Sequence, residues 1–183
     1  MSLDKPDDTA KLRALAHPLR LRILSLLTGS AMTAAEVARE LGLTHANASY
    51  HLRHLLAAGQ IEIAGEERIR GGVAKRYRHD PEADFNRPKA DPPPGDPRPT
   101  PDHLLFYEAL AAELRRRSRG MIRARAHLTD AELWVSPEAY AEVEKQLTKA
   151  SRALHRAAVA PRTPGAVRVG ATFALFRMDP DAR

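Results

Sequence analysis

The feature that most constrains the fold is residues 33–55, which predict two short helices joined by a tight turn. Thr33 and Glu36 have the spacing of a capping box, in which each side chain accepts a hydrogen bond from the other residue's backbone amide. Gly42 stands where a helix ends with a positive φ, and Thr44 can cap the helix that follows. The turn is therefore encoded locally, and the caps fix which side chains face outward.

The second of these helices has apolar residues at i, i+4, i+7 and i+8, which predicts one buried face. Gly59 is well placed to end the helix. No carboxylate lies between residues 44 and 58, and the outer face bears an arginine, three histidines, an asparagine and a serine. Such a face suits a polyanion, and an ordinary solvated helix is the alternative. The predicted buried residues are Ala48, Leu52, Leu55 and Leu56.

The upstream residues predict two more helices. The first ends near His17, because Pro18 disfavours helical geometry at the residue before it. Pro18 suits the first turn of the second helix, which stops at Thr28–Gly29.

The downstream residues predict a β-hairpin. Residues 60–64 and 73–78 alternate in polarity like two short strands. The intervening residues 65–72 contain paired glycines that permit a tight return, and we expect Val73 and Tyr77 to face inward.

The order of these elements over residues 9–79 resembles the ArsR-type winged helix-turn-helix regulators. Residues 15–24 are similar to that family's opening motif, and residues 48–55 are similar to its recognition helix. The resemblance implies a homodimer on a pseudo-palindromic operator in double-stranded DNA. Each subunit would insert one recognition helix into one of two successive major grooves.

The resemblance also ranks the candidate DNA contacts, since the N-terminal half of a recognition helix lies deepest in the groove. We expect base contacts from His45, Asn47 and Tyr50, with Ala46 near a thymine methyl group. Asn47 is the most specific of these candidates, because its side-chain amide can form two hydrogen bonds with an adenine.

A second set of residues is better placed for phosphates, which fix register without reading sequence. Thr44 has the alternative of being only a cap, and His51 that of being a packed histidine. In the predicted hairpin over residues 60–78, which corresponds to the wing of the family, basic side chains approach phosphates or the minor groove, or are simply solvated. The phosphate candidates are Thr44, Ser49, His51 and Arg53, and the wing candidates are Arg68, Arg70, Lys75, Arg76 and Arg78.

The amino-acid composition restricts the signals that the protein can sense, its partners and its place in the cell. The chain has no cysteine, which excludes thiol redox sensing and disulfides. Many ArsR-type relatives bind metals through cysteines before the recognition helix, but residues 34–40 hold no thiol or imidazole, so we expect no metal and no cofactor. A net charge of +6 favours an anionic partner. The polar, acidic N-terminus and the lack of a long apolar run predict a cytoplasmic protein without membrane contact.

Prolines divide the chain of 183 residues. Residues 81–101 are proline-rich and predict a stiff, extended linker, in which Phe85 either anchors to a surface or is exposed. The predicted organisation is a DNA-binding domain over residues 1–80, this linker, and a C-terminal region over residues 102–183.

The C-terminal region is predicted to be α+β, which makes the whole chain mainly α with a small β part. A helix runs from Asp102 to about Ala126, and a second begins at Pro137. Strands are expected at Glu132–Val135 and Val167–Met178, in a small sheet beside helices that complete the dimer interface. The stripe predicted on the first helix comprises Leu104, Tyr107, Ala111, Leu114, Ser118, Met121 and Ile122.

Two features of this region keep alternatives open. The arginine run from Arg115 to Arg125 is a solvated face beside the dimer seam, or contacts DNA or an acidic ligand. The aromatic residues Trp134, Tyr140, Phe173 and Phe176 form core, or line a pocket for a small-molecule effector.

Three functions compete on the sequence alone. The first is a dimeric transcription regulator that represses by occupying its operator. The second is an architectural nucleic-acid-binding protein without sequence choice, whose affinity is governed by salt. An enzyme is disfavoured, because the sequence has no recognisable catalytic or phosphate-binding motif.

Overall fold

The computed structural model describes residues 8–69, 71–86, 99–122 and 126–179. The described chain is mainly helical and has one small antiparallel sheet, as the sequence predicts for its N-terminal part. Its elements are α1 (Asp8–Leu15), α2 (Pro18–Gly29), β1 (Met32–Thr33), α3 (Ala34–Leu41), α4 (His45–Ala57), β2 (Glu62–Ile69), β3 (Gly72–Arg78), α5 (Pro81–Phe85), α6 (Pro101–Ser118) and α7 (Pro137–Arg156).

The caps that the sequence predicts at the α3–α4 turn are present. Thr33 N donates to Glu36 Oε2 at 2.7 Å, and Glu36 N donates to Thr33 Oγ1 at 3.3 Å. Gly42 ends α3 with φ 66°, and Asn47 N donates to Thr44 Oγ1 at 3.2 Å to begin α4. The geometry that orients α4 is therefore fixed by its own sequence.

One hydrophobic core joins α2, α3 and α4. The predicted inner face of α4 is confirmed: Ala48, Leu52 and Leu55 are fully buried, and Leu56 packs partly buried beside them. The other buried members are Ile23, Leu24, Leu27, Val37, Ala38 and Ile61.

The strands of the hairpin wing are longer than predicted, and they belong to a three-stranded sheet of order β1-β3-β2. β2 continues to Ile69 through a bulge between Ile63 and Gly65, so most of the expected connecting loop is strand. Tyr77 packs against the core as predicted, but Val73 is 58% exposed. The prediction for Val73 was wrong because this residue pairs with Arg68 near the hairpin tip, which extends past the core.

The first residues of the predicted linker form a short helix. Asp80 caps the short helix α5, whose Phe85 packs edge-on against the His155 ring at 5.5 Å, under the guanidinium of Arg152. The extended conformation expected at residues 81–85 is therefore wrong, because a capping aspartate and Pro81 favour a helical turn. Residues 87–98 lie outside the described residues.

The C-terminal helices differ from their predicted extents and faces. α6 ends at Ser118, before Gly120, and not near Ala126. It packs against α1 and α2, and its buried residues are Ala109 and Glu113. The predicted apolar stripe lies exposed, because the helix turns its other side to the N-terminal domain; among its large members, Leu104, Tyr107, Leu114, Met121 and Ile122 are all at least 40% exposed.

The small sheet predicted in the C-terminal region is absent from the described residues. Residues 132–135 and 167–178 are irregular and mostly exposed, and neither has a strand partner. Alternating polarity indicates two unlike faces, but a strand also needs a neighbouring edge for its hydrogen bonds. Instead, Arg117 Nη1 holds the tail by donating to Ala171 O at 2.9 Å.

Candidate nucleic-acid interface

The outer surface of α4 carries the residues that the sequence predicts to contact DNA bases. Tyr50 is 49% exposed, and its ring packs against that of His54 at 4.5 Å. Ser49 is half-buried, and its carbonyl accepts a hydrogen bond from Arg53 Nε at 3.3 Å. The exposed candidates at the start of the helix are Thr44, His45, Ala46 and Asn47.

His51 does not belong to this outer surface. Its residue is only 5% exposed, and its ring packs 4.9 Å from the His17 ring. The prediction that His51 reaches a phosphate is therefore wrong, and the packed alternative holds. His51 is buried because it precedes the core residue Leu52 and lies on the inner side of α4, against the start of α2.

The wing places its basic residues unequally. Arg68, Lys75 and Arg78 are exposed on the two long strands, and Arg70 lies outside the described residues. Arg76 is engaged within the protein, since its Nη1 contacts Glu67 Oε2 at 2.7 Å and Glu36 Oε2 at 3.5 Å. These contacts within the protein make Arg76 part of the structure of the wing, and its role as a DNA contact stays a prediction.

The Glu36–Arg76 contact ties the wing to the first helix of the motif. Arg76 Nη2 also donates to the carbonyl of Ala31, beside β1. The pKa of Glu36 is lowered, first by the Thr33 backbone hydrogen bond and then by the Thr33 hydroxyl and by Arg76 and Arg39. The capping carboxylate therefore stays charged and sets the position of β3 relative to α3.

Sequence reasoning missed two residues at the base of α4. His17 caps α2, because its Nδ1 accepts a hydrogen bond from Leu19 N at 3.1 Å. Arg20 donates from Nη2 to the Arg13 carbonyl at 2.8 Å, and from Nε to that of Ala14. The signal for the cap was a polar side chain directly before Pro18 at a helix start.

Two further observations bear on the class of protein. Within the described residues, no group of three His, Cys, Asp or Glu side chains has the arrangement of a metal site. None of the described helices is long and apolar enough to span a membrane.

These features define a winged helix-turn-helix fold at the N-terminus. A family model described as a helix-turn-helix domain matches residues 15–63, which include α2, α3 and α4. This match supports the resemblance to ArsR-type regulators and indicates a DNA-binding transcription regulator. No curated protein matched the chain.

Proposed function

We propose that the chain is a homodimeric, sequence-specific transcriptional repressor that binds an operator in double-stranded DNA and has no metal or thiol switch. The observation that carries the proposal is the division of α4, whose inner face is buried while residues 44–47 and 50 are exposed. A helix held in this way can enter the major groove without losing its contacts to the core.

In this proposal, the readers are the exposed residues of the N-terminal half of α4. Asn47, His45 and Tyr50 contact bases, and Ala46 lies against a thymine methyl group. Phosphate contacts come from the edges of the helix and from the wing. They are Thr44, Ser49, Arg53, Arg68, Lys75 and Arg78.

Exposed apolar surface supports the dimer. Apart from Tyr50, Ile63, Ile69 and Val73, every large apolar side chain exposed in the described residues lies beyond residue 100. Contiguous exposed apolar surface marks an interaction site. A second copy is the occupant that fits a two-fold operator, because its own α6 and extended tail would cover the same surfaces.

Selection of bound sites from a random DNA pool tests sequence choice. We expect one recurring sequence, repeated as two half-sites about one helical turn apart. An architectural protein would instead recover no preferred sequence, and its affinity would depend only on salt. That outcome would reject the regulator and favour the second function.

Repression needs its own test, because binding does not set the sign of regulation. The recovered site is placed over a promoter that drives a reporter gene, and the protein is supplied from a second promoter. We expect the reporter output to fall, and to recover when the spacing between half-sites is changed by half a helical turn. A rise in output would make the protein an activator.

A further inference from the structure

Two histidines from different elements meet beneath the recognition surface. The ring of His51, in α4, lies 4.9 Å from that of His17, the residue before α2. His51 Nδ1 is buried and has no hydrogen-bond partner among the described residues. Because α2 and α4 pack together, this pair of imidazoles lies at the contact between α2 and the recognition helix α4.

The state of His17 is defined by its hydrogen bond. Its Nδ1 accepts from Leu19 N, so this nitrogen carries no proton, and the ring is neutral with its proton on Nε2. Protonation of Nδ1 would remove the acceptor and so the cap of α2. It would also add a positive charge at the helix N-terminus, where the helix dipole is already positive.

The groups around the pair also oppose a positive charge. Arg20 is fixed beside it by the carbonyls of α1, so it cannot move away without losing those hydrogen bonds. Burial lowers the pKa of both His17 and His51, and the charge of Arg20 lowers both further. For His51, the neighbouring His17 and His54 act in the same direction.

Among the described residues, no carboxylate acts on the pKa of His17 or His51. On α1 and α6, which pack on α2, Asp102 pairs with Arg13, and Glu113 pairs with Arg116 and Arg117. On α4 itself, the Tyr50 ring packs edge-on to His51 at 5.2 Å. α3, the other helix packed on α4, has two carboxylates that are turned to other partners. Glu36 binds Thr33 and Arg76, and Glu40 pairs with Arg162.

We propose that the His17–His51 pair is an acid-sensitive latch that holds α4 on α2. Protonation of the pair removes the α2 cap, places two like charges beside Arg20, and loosens the recognition helix. Acidification then weakens DNA binding. Only this last step rests on the proposed function, because loosening of α4 occurs with or without DNA.

The sign of the effect on folding follows from the lowered pKa values. The unfolded chain binds protons to these histidines more readily than the folded chain does, so their stabilising contribution is present above about pH 6.5 and falls as the pH falls. Each histidine that stays neutral in the folded protein raises the unfolding constant by up to roughly tenfold between pH 7.5 and 5.5.

The test compares urea unfolding of the full chain at pH 7.5 and 5.5. The double variant His17→Asn/His51→Gln removes both titrating rings, and asparagine keeps an acceptor that caps α2. His127→Gln is the matched control, since His127 is exposed and lies outside the N-terminal domain. His79, whose pKa is also lowered by burial, is retained in every protein, so its share cancels.

We expect wild type and His127→Gln to lose more stability on acidification than the double variant. The difference in the unfolding constant is up to roughly one hundredfold, for two fully linked histidines. A parallel loss in all three proteins would overturn the latch. If glutamine at residue 51 prevents folding, His51→Leu removes the ring without leaving a buried polar group, and the same comparison applies.

The DNA step uses a mixed-sequence duplex of about 30 base pairs at both pH values. We expect the affinity of wild type to fall relative to that of the double variant. The exposed His45 and His54 are retained in both proteins, so their contribution cancels. Equal pH dependence would contradict the coupling to DNA. Failure of every protein to bind this duplex at pH 7.5, together with no recovered site in the selection from a random DNA pool, would reject the proposed function, and the unfolding data would still decide the latch.

Discussion

At the scale of single residues, Asn47 and Arg53 lie at different positions on α4, and we propose different roles for them in DNA binding. The backbone amide of Asn47 serves the Thr44 cap, while the residue itself is exposed in the first turn of α4. Arg53 lies farther along, where its Nε donates to the Ser49 carbonyl. An amide near the helix start can address a base edge, whereas a guanidinium near the middle suits a phosphate.

Asn47→Ala should therefore weaken binding to the selected operator by roughly 1 to 3 kcal/mol and relax the preference at one position per half-site. Arg53→Ala is the matched control, because loss of a phosphate contact weakens operator and random DNA alike. Binding titrations on both duplexes make the comparison. If Asn47→Ala weakens both duplexes equally, Asn47 does not read a base.

At the scale of elements, the α3–α4 turn depends on the conformation of one residue. Gly42 has φ 66°, and nothing lies within 4 Å of the position that a Cβ would take. Replacement therefore has a conformational cost without a steric one. The wing depends instead on Arg76, which joins β3 to Glu36, Glu67 and the carbonyl of Ala31.

Gly42→Ala should lower the free energy of unfolding by about 1 to 2 kcal/mol, because alanine is disfavoured in the left-handed region. Gly42→Asn should cost less, since asparagine tolerates that conformation. Urea denaturation of the three proteins measures the difference. Equal stability of the alanine variant and wild type would mean that the turn does not require the positive φ.

Arg76 and Arg78 form a second matched pair. Arg76→Ala should destabilise the domain by about 1 to 2 kcal/mol, because it leaves the Ala31 carbonyl and two carboxylates without their cation. Arg78→Ala should leave stability within about 0.5 kcal/mol and weaken DNA binding. Thermal unfolding and DNA titration separate the two effects. The reverse assignment would make Arg76 the DNA contact.

At the scale of the whole molecule, the N-terminal domain and the C-terminal region share a contact surface. α6 packs on α1 and α2, and Arg13 pairs with Asp102 at 3.0 Å. α7 joins α5 through Glu82, which pairs with Arg152 and Arg156. The regions on either side of the predicted boundaries at residues 80 and 102 therefore pack against each other.

The dimer is tested at this scale by charge on the exposed face of α6. The double variant Leu104→Glu/Leu114→Glu should sediment as a monomer and bind the operator more weakly, because two buried carboxylates oppose association. Val73→Glu is the control for sedimentation, since Val73 is equally exposed but lies in the wing, away from α6. A stable dimer of the α6 variant would move the interface to another surface.

The sequence predicted the fold correctly where the structure depends on residues that are close together in the chain. The capping box, Gly42 and the inner face of α4 follow from residues a few positions apart, and all are confirmed. The burial of His51 and the use of Arg76 depend on residues far away in sequence, His17 and Glu36, which no local pattern reveals. The C-terminal strands were predicted from alternation, which does not report whether a neighbouring strand exists.

The central claim is that two copies of α4 lie in successive major grooves of one operator. Because the chain has no cysteine, Ala46→Cys gives a single site for attaching an iron chelate that cleaves nearby DNA. The proposal predicts two clusters of cuts in the selected operator, about one helical turn apart, and even cleavage of mixed-sequence DNA. Cleavage without position preference on the operator would contradict the claim.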